Sequence, residues 1–574
     1  MNGIPTEAGT KLMRHYLPEQ LSFQSWEELE PFFAALADRE ISTPDALMEW
    51  LRDLNELSAA FEEELAWRYI RSTCDTTNKE FEAAYDFFVT AIEPNASPWF
   101  HQLNNRLHQH PLRDTLDKNL YAIYLRAVRN ELEIYRSENI PLFTEIDQLK
   151  QDFGKIAGDM TVEVDGNELT IQQANNYFKS TDRTLRRSVF EKIWTKRLAA
   201  KMELNHLFDK LSLLRQQVAK NAGFENFSDY CFTSLGRFDY SKADCFHFHD
   251  SVEAEVVPFI RSLDEKRRQK LSLEQLRPWD LDVDTDGKTA LRPFTSGEEL
   301  ITKTITCLQE VRPQFAGYIS IMRGLGHFDL DSRRGKAPGG YNYSLAETGV
   351  PFIFMNAAGS HRDLVTMVHE AGHAIHSFLE NPLPFNKLKS PPSEVCELAS
   401  MSMELISMEH WHIFYPDADD LNRAKKEQLE KVLSTLPWVA NVDAFQHWLY
   451  ENAEHSHQER AVAWEHFIGR FDSPADWSGF EEVRRHFWQK QLHIFEMPFY
   501  YIEYGMAQLG AIAMWRNYRK DPEGTLDAYE AALKLGYTKP IGEIYKTAGI
   551  RFDFSREYVR ELVQFVKVEL EKLN

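Results

Sequence analysis

The sequence predicts a mainly α-helical fold, on three observations. Apolar residues recur at helical spacing through most of the 574 residues. Strand-like alternation is confined to a few short stretches. Two of the periodic segments open on recognisable helix-start chemistry, Thr43 before Pro44 and Ser360 three residues ahead of Asp363.

The first clear element is a long amphipathic helix. In "STPDALMEWLRDLNELSAAFEEELAWRYI", Thr43 can cap, Pro44 suits the first helical position, and Leu47, Trp50, Leu51, Leu54 and Phe61 recur on one face. Similar patterns return around 76–92 and 115–137, so residues 1–150 read as a domain of antiparallel helices joined by short loops. "MTVEVDGNELTI" is the exception, because Asp165-Gly166 between alternating runs is favoured hairpin chemistry. Helices resume at 172–225 and 241–270, within a second region spanning 151–330. The passage "LRPWDLDVDTDGKTALRPF" reads as a linker or surface loop. Its Asp282, Asp284, Asp286 and Gly287 imitate an EF-hand loop, but position twelve, which must be a bidentate Glu, is Pro293. A plain acidic turn is expected there. From 333 a Gly-rich loop leads into an apolar strand, "PFIFMN", and the third region, 331–574, is again mostly helical.

Composition narrows function by exclusion. With 43% hydrophobic and 27% charged residues the chain has the makings of a folded globular protein. Its 65 basic and 88 acidic side chains leave a formal charge of −23, which repels phosphate backbones and anionic membranes. Cys74, Cys231, Cys245, Cys307 and Cys396 are an odd, scattered set without a CxxC pair, which speaks against a disulfide framework and a thiolate zinc site. The first twenty residues hold no apolar leader core, and no run of about 18 apolar residues occurs elsewhere. A cytoplasmic protein is expected.

"TMVHEAGHAIHSF" carries the chemistry. Ser360 and Asp363 begin a helix whose apolar stripe is Val365, Val368, Ile375 and Leu379. His369 and His373 are one turn apart on the same face, about 40° and roughly 6 Å from each other, so both imidazoles can reach one ion. Glu370 can project toward an open coordination position and take a proton from a metal-activated water; this is the HExxH arrangement of metallopeptidases. His376 lies too far up the axis for the same ion and reads as a packing or supporting residue. A third His ligand of the metzincin kind is excluded, because Leu379 stands where it would have to be. Downstream, "KSPPSEVCELASMSMELISME" offers Glu394, Glu397, Glu404 and Glu409 as a third ligand, and spacing alone does not choose among them.

"HEAGHAIHSF" followed by "SEVCELASMSMEL" resembles the thimet oligopeptidase and oligoendopeptidase F family of zinc metallopeptidases. The resemblance makes Glu397 the third ligand of a single zinc ion and puts Glu404 behind the site as an orienting carboxylate. "HIFEMPFYYIEYGMAQLGAIAMW" resembles the family's carboxy-terminal segment, whose imidazole and phenols face the metal. His493, Tyr500, Tyr501 and Tyr504 are the matching candidates, with Tyr504 favoured as donor to the oxyanion. Tyr500 and Tyr504 are expected on one helical face, with His493 two turns earlier on it. "PFIFMNAAGSHRDLVTMVHE", "LTIQQANNYFKSTDRTLRRSVFEKIW" and "AGFENFSDYCFTSL" are similar to further family segments, so the likeness runs from about residue 140 to the end.

The resemblance implies an elongated, mainly helical body with a deep substrate channel and a small β-sheet beside the zinc helix. Extended oligopeptides are then the expected substrates, adding to an exposed strand along Met355, Asn356, Ala357, Ala358 and Gly359. A zinc endopeptidase is expected. The alternatives are an exopeptidase at the same metal and a non-catalytic helical peptide-binding protein with an inactive metal site. Oligomeric state and cleavage preference are not encoded in any feature of the sequence.

Overall fold

The Thr43 hydroxyl accepts the Ala46 N–H and Pro44 takes the first helical position, so a 31-residue helix, Pro44–Cys74, begins where the sequence places it. Leu47, Trp50, Leu51, Leu54 and Phe61 are buried along it. They belong to an apolar cluster drawn from residues 17–128 and joined by Phe385 and Leu388. These features come from a computed structural model that describes residues 14–21 and 23–573. Most of the first twenty residues, where no apolar leader core is expected, therefore lie outside the described residues.

The described chain is mainly α, with two small sheets. Strands β1 (Thr161–Val164) and β2 (Asn167–Thr170) form the hairpin, with Asp165 and Gly166 both at positive φ, as a tight turn of this kind demands. Val162 and Val164 pack on Phe190, Trp194 and Trp279. The acidic passage 282–287 is a turn closed internally, Asp284 accepting from the Asp286 and Lys288 N–H groups and from Arg423.

The second sheet holds β3 (Phe328–Asp331), β4 (Tyr341–Tyr343) and β5 (Phe352–Ala357) in the order β3-β5-β4, with β3 parallel and β4 antiparallel to β5. The strand is therefore no free edge over Phe352–Phe354, which β4 covers, while the expected edge, Met355 to Gly359, runs on beyond the end of β4 and is paired at Ala357 on the β3 side. β5 is the middle strand, and its near-continuous apolar run "PFIFM" fits a strand covered on both sides rather than an edge. The edge beside the channel is β4.

Three helices carry the metal-site candidates. The histidine helix (His361–Glu380), the carboxylate helix (Ser393–Ser407) and the tyrosine helix (Tyr501–Tyr518) pack side by side, the carboxylate helix in the middle. Glycines permit the close approach. A Cβ at Gly372 would stand 2.5 Å from Ser400 Cα, and one at Gly510 would stand 2.7 Å from Leu398 Cδ1. Around them runs a core extending from Ile146 to Leu570. A channel of about 3060 Å³ opens along one side of the trio, lined also by residues of the hairpin, of β4 and of the long helix Ala418–Glu451.

Candidate metal centre

Ser360 and Asp363 form a reciprocal capping box, and Asp363 Oδ2 also accepts the Ala358 N–H at 2.8 Å. This fixes the angle at which β5 feeds the histidine helix, and so the direction in which its polar face looks. His369 and His373 then turn toward the carboxylate helix. Glu397 Oε2 stands 3.3 Å from His369 Nε2 and 3.8 Å from His373 Nε2. The three ligand atoms all lie within 4.8 Å of one another. Of the four acids left open by spacing, this one alone points both ways. Glu394 is bonded by Tyr240, Glu409 takes the Trp515 indole N–H and Arg519, and Glu404 serves His369 from behind.

Each ligand is oriented by a further contact. His369 Nδ1–H donates to Glu404 Oε1 at 2.7 Å, which leaves the Nε2 lone pair facing Glu397. Gln428 holds the other Glu404 oxygen at 2.9 Å. Tyr500 OH donates to Glu397 Oε1 at 2.7 Å, and Ser400 Oγ reaches Oε2 at 3.2 Å. His376, by contrast, is buried and turned to Glu380, with Nε2 3.4 Å from Glu380 Oε2.

The electrostatics ask for a cation. Burial raises the Glu397 carboxyl, but His373 and the hydrogen bond from His369 outweigh it and hold the group down at about 2. Burial lowers His369, yet its bonds to Glu397 and Glu404 carry it well above the ordinary imidazole range. His373 is pushed down to about 4 by burial and is neutral, as a ligand must be. Two imidazoles, one ionised carboxylate and a side open to the channel make a donor set that fits a divalent metal ion such as zinc. Glu370, beside it and 5% exposed, is pushed up to about 7 by burial. A second close group, Cys245, Asp443 and His447, is sealed in the core away from the channel, its Asp443 bonded to His249 at 2.9 Å.

Similarity to known proteins identifies the family. The profile of peptidase family M3 matches residues 176–564, and that of the peptidase M3 N-terminal domain matches 19–135. The chain belongs to peptidase family M3. It is 22% identical over 545 residues to an oligoendopeptidase F homologue of Borreliella burgdorferi, covering 90% of this chain and 87% of the relative. Among solved structures, Pz peptidase A with a bound inhibitor superposes with a TM-score of 0.92 at 26% identity, over 97% of this chain and 99% of that one. A structure provisionally assigned as an oligoendopeptidase F gives the same score and identity, over 97% and 98%. The protein is thus a metallopeptidase of this family.

The tyrosine segment of this M3 peptidase corrects one expectation. His493 does not share a helix with Tyr500 and Tyr504; it lies on a separate turn, Leu492–Glu496, and the chain breaks at Met497–Tyr500. Pro498 supplies no N–H and pushes the residue before it out of helical geometry, and Phe499 follows at φ 65°. The bend still brings the rings together: His493 is 4.9 Å from Tyr501 and 5.7 Å from Tyr504 between centroids. Phe499 is held in its strained state from both sides, its N–H donating to Gln446 Oε1 at 2.8 Å and its carbonyl accepting from Arg237. Neither partner is visible as such in the sequence. Gln446→Leu should leave that N–H buried and unpaired, costing about 1–3 kcal/mol in chemical denaturation. It should also loosen Tyr500 from Glu397.

A chain of contacts sets the His493 tautomer. Trp438 Nε1–H donates to Gln491 Oε1 at 3.1 Å, so the Gln491 amide nitrogen must face His493 Nδ1, which it meets at 2.8 Å. Nδ1 accepts, and Nε2 carries the proton, 3.4 Å from Tyr504 OH. Burial pushes His493 down to about 4 and Tyr504 well above its ordinary value, so both are neutral donors. Met355, Asn356 and Ala358 also line the channel, as do Tyr500 and Tyr501, whereas Ala357 and Gly359 are buried outside its lining.

Proposed function

We propose that the protein is a zinc-dependent endopeptidase that hydrolyses internal bonds of short, unfolded oligopeptides in the cytoplasm. The observation that carries this reading is the convergence of His369, His373 and Glu397 beside a buried Glu370, all on one wall of a channel. His369, His373 and Glu397 would hold one zinc ion. Bound there, zinc lowers the pKa of a water toward about 7 and polarises the peptide carbonyl.

The chain's own groups do the rest. Glu370, raised by burial, is a base strong enough to take the water's proton and an acid strong enough to hand it to the leaving amine. Tyr504 O–H and His493 Nε2–H donate to the carbonyl oxygen as charge builds on it. The Tyr500 phenol is spent on Glu397, which favours Tyr504 as the donor. The edge of β4, Tyr341 to Tyr343, has main-chain groups free to pair with an extended peptide, and Asn342 ties it to the histidine helix through the Glu370 carbonyl. That edge stands beside Met355–Gly359, which run on beyond the end of β4, as main chain to which a peptide would add.

Two further observations support the setting. Among the described residues no helix is long and apolar enough to cross a membrane, and all five cysteines are free. We retain the division into residues 1–150, 151–330 and 331–574, on the separate apolar cluster of 17–128 and on the channel-lining residues of the middle region.

An internally quenched peptide blocked at both ends tests the reading directly. Cleavage should require about one zinc per chain and stop on chelation. No cleavage of the blocked peptide, with hydrolysis of a free-ended one, would transfer the assignment to an exopeptidase.

A further inference from the structure

Beyond the tyrosines the channel wall carries positive charges that the chemistry leaves unused. Arg197, Arg362, Lys431 and Lys490 all line the channel, from four separate segments: the helix Arg183–Ala199, the first turn of the histidine helix, the long helix and the turn Phe487–Lys490. They stand close enough for Lys490 to feel Arg197, Lys431 and Arg362, and for Lys431 to feel Arg362. Arg362 also acts on Tyr501, the ring packed against His493, so the group begins beside the reaction centre. Asp282 and Glu427 are the nearby carboxylates that face it, with Glu404 acting on Lys431 as well.

Several other cations of the channel are paired, Lys179 with Glu427, Arg267 with Glu430 and Arg423 with Asp284. Among the described residues these four have no ion pair. Their placement runs against ordinary preference twice. In a chain of net charge −23, unpaired cations gathered within a concavity focus a local positive potential. Arg362 also sits in the first turn of its helix, where the macrodipole disfavours a cation. Lys490 is seated by its neighbours, its Nζ 3.6 Å from the Phe487 ring centroid and 4.8 Å from that of Trp438. Its ammonium is exposed to the channel, within reach of an arriving anion.

We propose that Arg197, Arg362, Lys431 and Lys490 form an anion subsite that holds a carboxylate of the bound peptide, either an acidic side chain or the free carboxy terminus. The inference rests on the peptidase reading of the same channel. Arg362 lies seven residues before His369, within 20° of the same helical face and about 10 Å along the axis. An extended peptide advances roughly 3.3 Å per residue, so the carboxylate would stand about three residues from the cleaved bond. Guanidinium groups at such a site can grip it through paired hydrogen bonds.

The test is binding, read separately from cleavage. Dye-labelled, doubly blocked decapeptides carrying Gln throughout are compared with versions bearing a single Glu at each position in turn, and with one having a free carboxy terminus. Affinities are measured by fluorescence anisotropy on zinc-loaded Glu370→Gln protein, and on the same protein carrying Lys431→Gln with Lys490→Gln or, separately, Arg362→Gln. One carboxylate position should bind about tenfold tighter than its amide counterpart, and the cationic variants should cut that ratio to about twofold or less. A preference confined to the free-ended peptide would name the carboxy terminus as the source; one at an internal Glu would name the side chain. No preference at any position, or one undiminished in all the variants, overturns the subsite. Retained preference in a protein whose parent cleaves none of the peptides leaves the subsite standing and removes the peptidase reading instead.

Discussion

Glu370→Gln should lower kcat by about 10²- to 10⁴-fold while zinc remains bound at one equivalent. The side chain is the one acid beside the histidine pair that binds neither imidazole, and the amide keeps its shape while losing its basicity. A second signature comes from its burial. In the metal-free fold the carboxyl is raised from 4.5 to about 7, with burial the largest cause. Below pH 4.5 folded and unfolded chains both hold the proton, and the group costs nothing. As pH rises through 4.5 the unfolded chain ionises first, so the folded state loses stability until pH passes 7, by then on the order of 3 kcal/mol. The metal-free Gln variant should therefore equal its parent in denaturant near pH 4 and exceed it near pH 8. Zinc-loaded variant protein that hydrolyses peptide at the parental rate would count decisively against Glu370 as the base.

Gly372→Ala carries the other large effect, and it is structural. The new Cβ would meet Ser400 Cα at 2.5 Å and the Ala399 carbonyl at 2.9 Å, both main-chain atoms that cannot rotate away. The carboxylate helix must move, and Glu397 moves with it. We expect a loss of about 3 kcal/mol in stability, at the upper end of ordinary overpacking. Zinc affinity, measured by competition with a chromophoric chelator, should fall at least about tenfold, the scale of disturbing a ligand's support. Gly469→Ala is the control. Nothing lies within 4 Å of its Cβ position, so the same change in the helix His457–Phe471 should be neutral or stabilising by up to about 1 kcal/mol. Similar losses at both positions would mean that helix packing at Gly372 is not the cause.

Much of the centre was legible because its logic is local. The capping box, the one-turn spacing of His369 and His373, and the position of Glu370 between them are properties of a single helix, which period and cap chemistry specify. The Asp165-Gly166 hairpin was legible for the same reason. Glu397 was different: four acids shared its neighbourhood, and residue-level reasoning left them equal until the family resemblance ranked them. Tyr240, Trp515 and His369, which occupy the other three, come from distant parts of the chain.

Two expectations failed where the physics is non-local. An apolar strand reads the same whether one neighbour or two pair with it, so β5 looked like an edge throughout until β4 folded back onto its Phe352–Phe354 stretch. The His493–Tyr504 segment kept helical spacing on paper, but Pro498 and the strained Phe499 broke it. Gln446 and Arg237, which hold that break, are separated from Phe499 by 53 and 262 residues.

The sequence by itself determined the helical class, the hairpin, the one-turn spacing of His369 and His373 and the position of Glu370 between them, because each is set by contacts within a few residues. Only the tertiary structure decided which strand is the edge, how Tyr500, Gln428 and Gln491 orient the working groups, and where unpaired cations gather in the channel. Those depend on which distant segments are brought within a few ångströms, and hydrogen bonds and charges act only at that range.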